Sequence, residues 1–434
     1  MSKVTRAGHA RPGSHAGPGS QASPGSPGSP GSKVPPRDLR VATRGTTREI
    51  NRRVVLDLIR INQPISRADL ARLMGTRRGA VSVLVNQLIE DGAVFEGATG
   101  EAKRGRKPTF LYMDSRERCV VAVDIRPTRT FVMVTDLLGR QLATVTSYPT
   151  ERDPKRFVTG LAKRIQGILA GHPDLGRCEG VGVIVPGMVD ADTGRVLSAP
   201  NLGWRDLLLR ESIAAAADLP VAIENSGKAC ALAQLWSTRD AGASGNFVYL
   251  SVSDGLGVGV VLGGRLVRGH HNIAGEFGHI PLNLDGPRCG CGATGCWEVY
   301  VSNLATLSRY FGRDLRERPF PADVATLTID DLIARARGGD AKALAALLST
   351  GRYLGLGLGA VVNVIDPSHV YISGEVTSAW DLIEATVRSA LAERVLTQSA
   401  GATPIVIVPS EQYPRLRGAA ALIAAQSFAQ DLSA

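Results

Sequence analysis

The 434-residue chain lacks any uninterrupted apolar run of the roughly 18 residues that a membrane span needs. Its first 45 residues hold almost no large apolar side chains and no apolar segment of the secretory type, so a cytoplasmic protein without a membrane partner is expected. Cysteine is scarce. Three of the six, Cys119, Cys178 and Cys230, are scattered as small buried hydrophobes would be. In a reducing compartment the other three are better suited to metal or catalysis than to disulfides. Acidic residues are scarce at one end. Of 50 Lys and Arg, 19 fall within residues 1–110, against 8 of the 40 Asp and Glu, which leaves 31 against 32 in the remainder. A basic front on a neutral body points to a polyanion-binding module joined to something else.

Residues 1–45 contain the run Ser23–Ser32, SPGSPGSPGS. Such a segment cannot bury enough surface to offset its ordering entropy and reads as a disordered Pro/Gly/Ser-rich tail. From Thr46 the pattern turns helical, with Ile50, Val54, Leu58 and Ile61 predicted as one apolar face. In ISRADLARLMG, Ser66 and Asp69 have the spacing of a capping box, and Leu70, Leu73 and Met74 supply the expected buried side. Gly75 permits a sharp turn, after which Thr76 is placed to cap a third helix. There Val81, Val85 and Leu88 are expected inside, with Arg77, Arg78, Ser82 and Asn86 outside. That is a helix-turn-helix with a basic second helix. Two strands, AVFEG (93–97) and TFLYM (109–113), bracket Lys103–Pro108, whose Arg104 and Arg106 form the tip of a wing suited to a narrow minor groove. Residues 46–115 are therefore expected to form a winged helix-turn-helix domain on a double-stranded DNA operator, contacting it through Arg77, Arg78, Ser82, Asn86, Arg104 and Arg106.

Beyond residue 116 strands alternate with helical segments. CVVAVDI (119–125) and FVMVTDLLGR (131–140) suggest a hairpin. GVGVIVPG, PVAIEN and NFVYLSVSDGLGVGVVLGG are further strands, with helices near 206–217 and 228–237. This is an α/β body. Into it falls CGCGATGCWE (289–298), three thiols within eight positions, with glycines that let the backbone fold round a small ion. Cys289, Cys291 and Cys296 need a fourth partner for tetrahedral zinc, and His279 lies ten residues before the first of them. A redox loop or free buried thiols are the other uses of such a stretch, and glycine-spaced thiols with a nearby histidine fit Zn(2+) better.

The combination of AGEFGHIPL (274–282), CGCGATGCWE, VPGMVD (185–190) and SAPNLGW (198–204) resembles the ROK family, bacterial sugar kinases and sugar-responsive repressors with an actin-like (ribonuclease H-like) two-lobe fold. The resemblance runs from about Thr46 to the C-terminus. It implies that His279 binds zinc through one ring nitrogen and faces a sugar with the other. It also implies that Glu276, Glu298 and Asn225 hydrogen-bond sugar hydroxyls, with Gly187, Asn201 and Ser226 lining the pocket. Glu298 would be held there by the zinc loop.

Family kinases need three further features, and this chain departs from each. A DIGGT-like phosphate loop is replaced by Asp124-Ile125-Arg126-Pro127-Thr128, where Arg126 adds bulk and Pro127 removes an N–H. The second phosphate loop, SDGLGVG (253–259), carries Asp254 where a threonine belongs, and a carboxylate repels phosphate. The general base is replaced by Ser226. A non-catalytic, sugar-responsive transcription regulator is expected, most naturally a repressor of carbohydrate-utilisation genes. Its effector would be a small sugar or oligosaccharide, and its assembly a homodimer or homotetramer. An active sugar kinase with a DNA-binding appendage is the alternative; control by a protein partner rather than a free sugar is another.

Overall fold

The computed structural model describes residues 44–99, 109–237, 245–312 and 327–430. The N-terminal tail up to residue 43, and the wing tip with Arg104 and Arg106, lie outside those residues. The basic front folds as α1 (Arg44–Asn62), β1 (Ile65–Ser66), α2 (Arg67–Leu73), α3 (Arg78–Glu90), β2 (Val94–Thr99) and β3 (Thr109–Met113). Strand β3 pairs antiparallel with β1 on one side and β2 on the other. This is the winged-helix arrangement, here called the head.

The capping box forms. The Ser66 hydroxyl accepts from the Asp69 N–H at 3.2 Å, and the Asp69 carboxylate accepts from the Ser66 N–H at 3.4 Å. Removing it by Ser66→Ala should cost about 1 kcal/mol. Urea titration of the full chain checks this, and an unchanged midpoint would show that α2 is held by packing alone.

Three local expectations are corrected. The buried stripe of α1 is Val55, Leu56 and Ile59, whereas Ile50 and Val54 are 56% and 41% exposed. Both stripes repeat at helical spacing, and the one that meets the head's sheet and the body is the one buried. Leu73 is 58% exposed, because α2 ends there and Ala71 takes the inner position. Thr76 does not cap α3. Arg77 holds the cap position, with no side-chain hydrogen bond to the helix. Inside α3, Val81, Val85 and Leu88 are fully buried as expected.

Lobe I comprises β4 (Arg118–Ile125), β5 (Arg129–Thr135), β6 (Thr146–Pro149), α4 (Pro154–Gly171), β7 (Arg177–Val185), β8 (Met188–Asp190), β9 (Arg195–Ala199), β10 (Trp204–Leu207), α5 (Leu209–Ala217) and β11 (Val221–Asn225). Its main sheet runs β11-β7-β4-β5-β6. Residues 204–207 are strand rather than helix, since β8, β9 and β10 form a small antiparallel sheet of their own. Helix α6 (Ser226–Ser237) leads to lobe II: β12 (Phe247–Val252), β13 (Leu256–Leu262), β14 (Arg265–Leu266), α7 (Glu298–Val301), α8 (Asn303–Phe311), α9 (Ile329–Arg337), α10 (Ala341–Ile365), β15 (His369–Ser373), α11 (Trp380–Ala392), α12 (Gln398–Gly401) and β16 (Ile405–Ile407). The second sheet runs β14-β13-β12-β15-β16. The chain then returns to lobe I as α13 (Pro414–Gln430). Helices α6 and α13 pack together between the two sheets, α13 on β4 and β7, α6 on β12 and β13. Two sheets divided by two helices leave a cleft at their strand ends.

Two features bear on function. Buried residues of the head, among them Val55, Ile59, Leu111 and Met113, join Val120, Met133, Leu137 and Ala419 of lobe I in one continuous apolar core. Arg60 of α1 reinforces this by donating to the Trp236 carbonyl at the end of α6 while lying 4.0 Å over its ring. The head is thus packed onto the body rather than tethered to it. Second, the 25-residue α10 is long and apolar enough by composition to cross a bilayer, although Lys342, Arg352 and Asn363 interrupt its apolar run. Its Leu347, Leu354, Leu358 and Val361 are instead buried in the core of lobe II.

Candidate functional site

A cavity of about 420 Å³ lies at the cleft, within the size range of small-ligand sites. Gly187, Asn201, Asn225, Ser226, Glu276, His279 and Glu298 all line it. Asn225 ends β11 and starts the turn into α6. Its Oδ1 accepts from the Gly227 N–H at 2.9 Å, capping α6, while Nδ2 donates to the Gly187 carbonyl at 2.7 Å. The structure thus gives Asn225 a holding role that spacing alone did not suggest. Gly187 has φ +100°, and a Cβ there would fall 2.3 Å from the Ser198 carbonyl oxygen. No other residue fits. Ser226 is buried at the first turn of α6, and Asn201 stands at the rim beside Gly290 of the thiol loop.

Two carboxylates face the same space. Glu276 precedes the 3₁₀ turn Phe277–His279. Burial pushes its carboxyl up, and Lys228 opposes that from 3.9 Å. Lys228 is itself almost fully buried on α6, its ammonium donating to the Asn272 carbonyl. Glu298 opens α7, and burial pushes it up as well. One of its oxygens accepts from the Leu256 N–H at 2.9 Å, so Glu298 also fastens the glycine-rich turn 253–257. Hydroxyl-rich ligands suit such a wall, because carboxylates and amides accept and donate in pairs.

The thiols and the histidine converge. Ligand atoms of His279, Cys289, Cys291 and Cys296 all lie within 4.8 Å of one another. Cys289 Sγ is 3.7 Å from His279 Nδ1, and Cys291 Sγ is 3.7 Å from Cys296 Sγ. A tetrahedron with metal–sulfur bonds of about 2.3 Å has edges near 3.8 Å, so both separations fit four-coordinate zinc. Burial pushes the Cys289 and Cys296 thiols up. As thiolates, three groups gathered this closely would need a cation to balance them. Since His279 also lines the cavity, one imidazole belongs to the metal-suited cluster and to the cleft wall at once.

At the inner end the structure shows what sequence reasoning missed. In the sequence Arg126 signals only bulk in a phosphate loop. Its Nε donates to Asp124 at 2.8 Å and its Nη1 to Glu375 of lobe II at 2.6 Å. Arg415 at the start of α13 binds both oxygens of Asp124, at 2.9 and 2.6 Å. Burial would raise the Asp124 carboxyl, but Arg415 and Arg126 together hold it below the usual range. Asp254 nearby is pushed up, chiefly by burial and then by Glu375. Nothing local in the sequence marks Glu375, Arg415 or Lys228, since each acts on a distant partner.

On the head, Arg77, Arg78 and Asn86 are exposed along one side of α3 and Ser82 is half-buried. Asn86 Oδ1 accepts from Arg67 of α2 at 2.8 Å.

Comparison with known proteins agrees with this arrangement. The sequence profile of the ROK family matches residues 120–426. The chain is 29% identical to a xylose repressor of Bacillus subtilis (strain 168), over 82% of this chain and 90% of that protein. It is 32% identical to a glucokinase of Streptomyces coelicolor, over 62% of this chain and 85% of that one. Among solved structures, a ROK family transcriptional regulator described as a homologue of the E. coli MLC protein matches with a TM-score of 0.72 and 26% identity, covering 89% of this chain and 100% of the other.

Proposed function

The chain belongs to the ROK family, and from that premise we propose that it is a sugar-responsive transcriptional repressor that binds an operator through its head and an effector sugar in its cleft. The observation that carries this reading is a winged head joined by one apolar core to a lobe that forms a wall of a polyol-suited cleft. The kinase relative matches 62% of this chain, whereas the repressor relative spans 82% of it. We read the body as non-catalytic. Ser226 stands where the family's base would be and lacks the pKa for the role, while the inner end of the cleft is filled by Arg126.

In this reading His279, Cys289, Cys291 and Cys296 hold a zinc ion that fixes the loop and the imidazole. His279, Glu276, Glu298 and Asn225 then contact hydroxyls of a small sugar or oligosaccharide, with Gly187, Asn201 and Ser226 shaping the wall. Arg77, Arg78, Ser82 and Asn86 face the major groove, and Arg104 and Arg106 the minor groove. Because the head is packed onto lobe I, a sugar that draws lobe II towards lobe I changes the surroundings of a fixed head. In a homodimer or homotetramer the spacing of two heads would then shift and alter operator affinity.

The test begins with DNA fragments enriched from the source genome on the purified protein. Binding to them is then titrated with D-xylose, D-glucose and N-acetyl-D-glucosamine among a broad panel of sugars. One sugar is expected to change operator affinity by at least about tenfold, the usual scale of allosteric coupling. The same sugars are incubated with ATP in a coupled assay, where no turnover is expected. Sugar-dependent ATP consumption without any effect on DNA binding would establish the kinase reading instead.

A further inference from the structure

The inner end of the cleft contains charged groups that the repressor reading does not use. Asp124 is the last residue but one of β4 in lobe I, Arg126 lies in the turn towards β5, and Arg415 lies in the first turn of α13 on the same lobe. Glu375 lies across the cleft, in the 3₁₀ turn Glu375–Ala379 that follows β15. The groups form one unbroken line: Arg415 to Asp124, Asp124 to Arg126, Arg126 to Glu375, and Glu375 to Asn303 at 3.1 Å. Two positive charges alternate with two negative ones, and both oxygens of each carboxylate are engaged.

We propose that Arg126 and Glu375 form an interlobe latch, an intrachain ion pair that fills the place a nucleotide's phosphates would take and fastens lobe I to lobe II without any nucleotide. This rests on the reading of the body as a kinase-like cleft that works without ATP, and it adds how the cleft is held shut. The geometry favours a designed contact over a chance surface pair. Arg126 is oriented from two sides, by Asp124 at 2.8 Å and by the Phe131 ring 4.6 Å below its guanidinium, and Pro127 restricts the turn that carries it. Glu375 is equally fixed, because its neighbour Gly374 has φ +111° and a Cβ there would fall 1.7 Å from the Val252 carbonyl oxygen. Both partners are thus pre-placed before they meet.

The energetics suit a switch rather than a weld. When the lobes part, Arg126 and Glu375 regain hydration, and this largely offsets the lost attraction. Arg126 keeps Asp124 in either state, so opening strands no unpaired charge on lobe I. An equilibrium this near balance can be biased by a ligand that touches both lobes. The pair also selects against anions. Among the described residues, both guanidinium groups at this end already face carboxylates, so a phosphate entering here would have to displace Glu375.

Hydrogen exchange followed by mass spectrometry on the full, zinc-replete chain tests the latch with no sugar present. Glu375→Gln keeps the shape and the bond from Asn303 but removes the charge. Exchange in residues 125–131 and 374–379 should quicken at least about tenfold, while the core strand 119–124 keeps its protection. Raising NaCl should quicken the same two segments in the natural sequence and have little effect on the variant. Arg126→Gln should match Glu375→Gln, and the double variant should be no faster than either, because a broken latch cannot be broken twice. Arg126→Lys, which retains the charge, should fall between. Unchanged exchange in Glu375→Gln, or effects that simply add in the double variant, would overturn the proposal. Since no sugar or DNA enters the experiment, its failure leaves the repressor reading standing, and failure of the sugar titration leaves the latch untouched.

Discussion

Changing Cys291 to serine should reduce bound zinc from about one ion per chain to under roughly a tenth of that, measured by elemental analysis of protein purified without chelator. Cys291 is the exposed member of the four ligands, so its substitution disturbs packing least, and loss of metal there cannot be blamed on a collapsed core. Cys289 and Cys296 are buried, and the same change at either should act at least as strongly. The consequences reach further than the ion. Directly after Cys296 stands Trp297, fully buried, with its indole N–H on the Tyr353 carbonyl at 2.9 Å, and then Glu298 on the Leu256 N–H. Loss of zinc frees the loop that positions both. A site saturated at a thousandfold over its Kd contributes about 4 kcal/mol to the folded state, so the thermal midpoint should drop by several degrees. Sugar affinity should fall about 10- to 100-fold, because His279 and Glu298 lose their placement. Acid should have the same effect as the mutation. The thiolates must be unprotonated to bind metal, so zinc is retained at neutral pH and released as the pH falls. Equal zinc in variant and natural protein would refute the ligand assignment.

What could be read in advance depended on how far apart the partners lie in sequence. The capping box at Ser66 and Asp69 spans three positions, and the thiol loop with its histidine spans fewer than twenty, so spacing alone exposed both. The face of α1 was misread for the opposite reason. Helical periodicity allows two stripes, and the choice between them is made by residues such as Leu416 and Ala419, far along the chain. The latch was invisible on the same grounds. Arg126 and Glu375 are 249 positions apart, and Asp124 and Arg415 are 291 apart. In the sequence, Arg126 shows only that the loop departs from the phosphate-binding pattern. Only the fold shows that the same side chain has acquired a partner.

On the head, Arg78→Ala should weaken binding to the cognate operator by about 1–3 kcal/mol, or roughly 5- to 160-fold, and relax preference at one base position. Arg78 is exposed at the first turn of α3, the half of the helix that the proposed function turns towards the major groove. Asn86 is a less clean probe. Its Oδ1 holds Arg67 on α2 at 2.8 Å, so Asn86→Ala also leaves that arginine to Glu96 alone, and its effect belongs to both. Arg106, in the wing, should behave differently. Its replacement by Ala should weaken binding to operator and scrambled DNA together and lower the slope of log affinity against log salt by about 0.9, the value of one phosphate-type contact. Arg78→Ala should leave sugar affinity in the absence of DNA unchanged, because Arg78 is not among the residues that line the cavity. The measurement is binding of each variant to operator and scrambled duplex over a salt series. If Arg78→Ala reduced binding to both duplexes equally, and in proportion to lost charge, α3 would serve only to grip the backbone and the reading element would have to be sought elsewhere on the head.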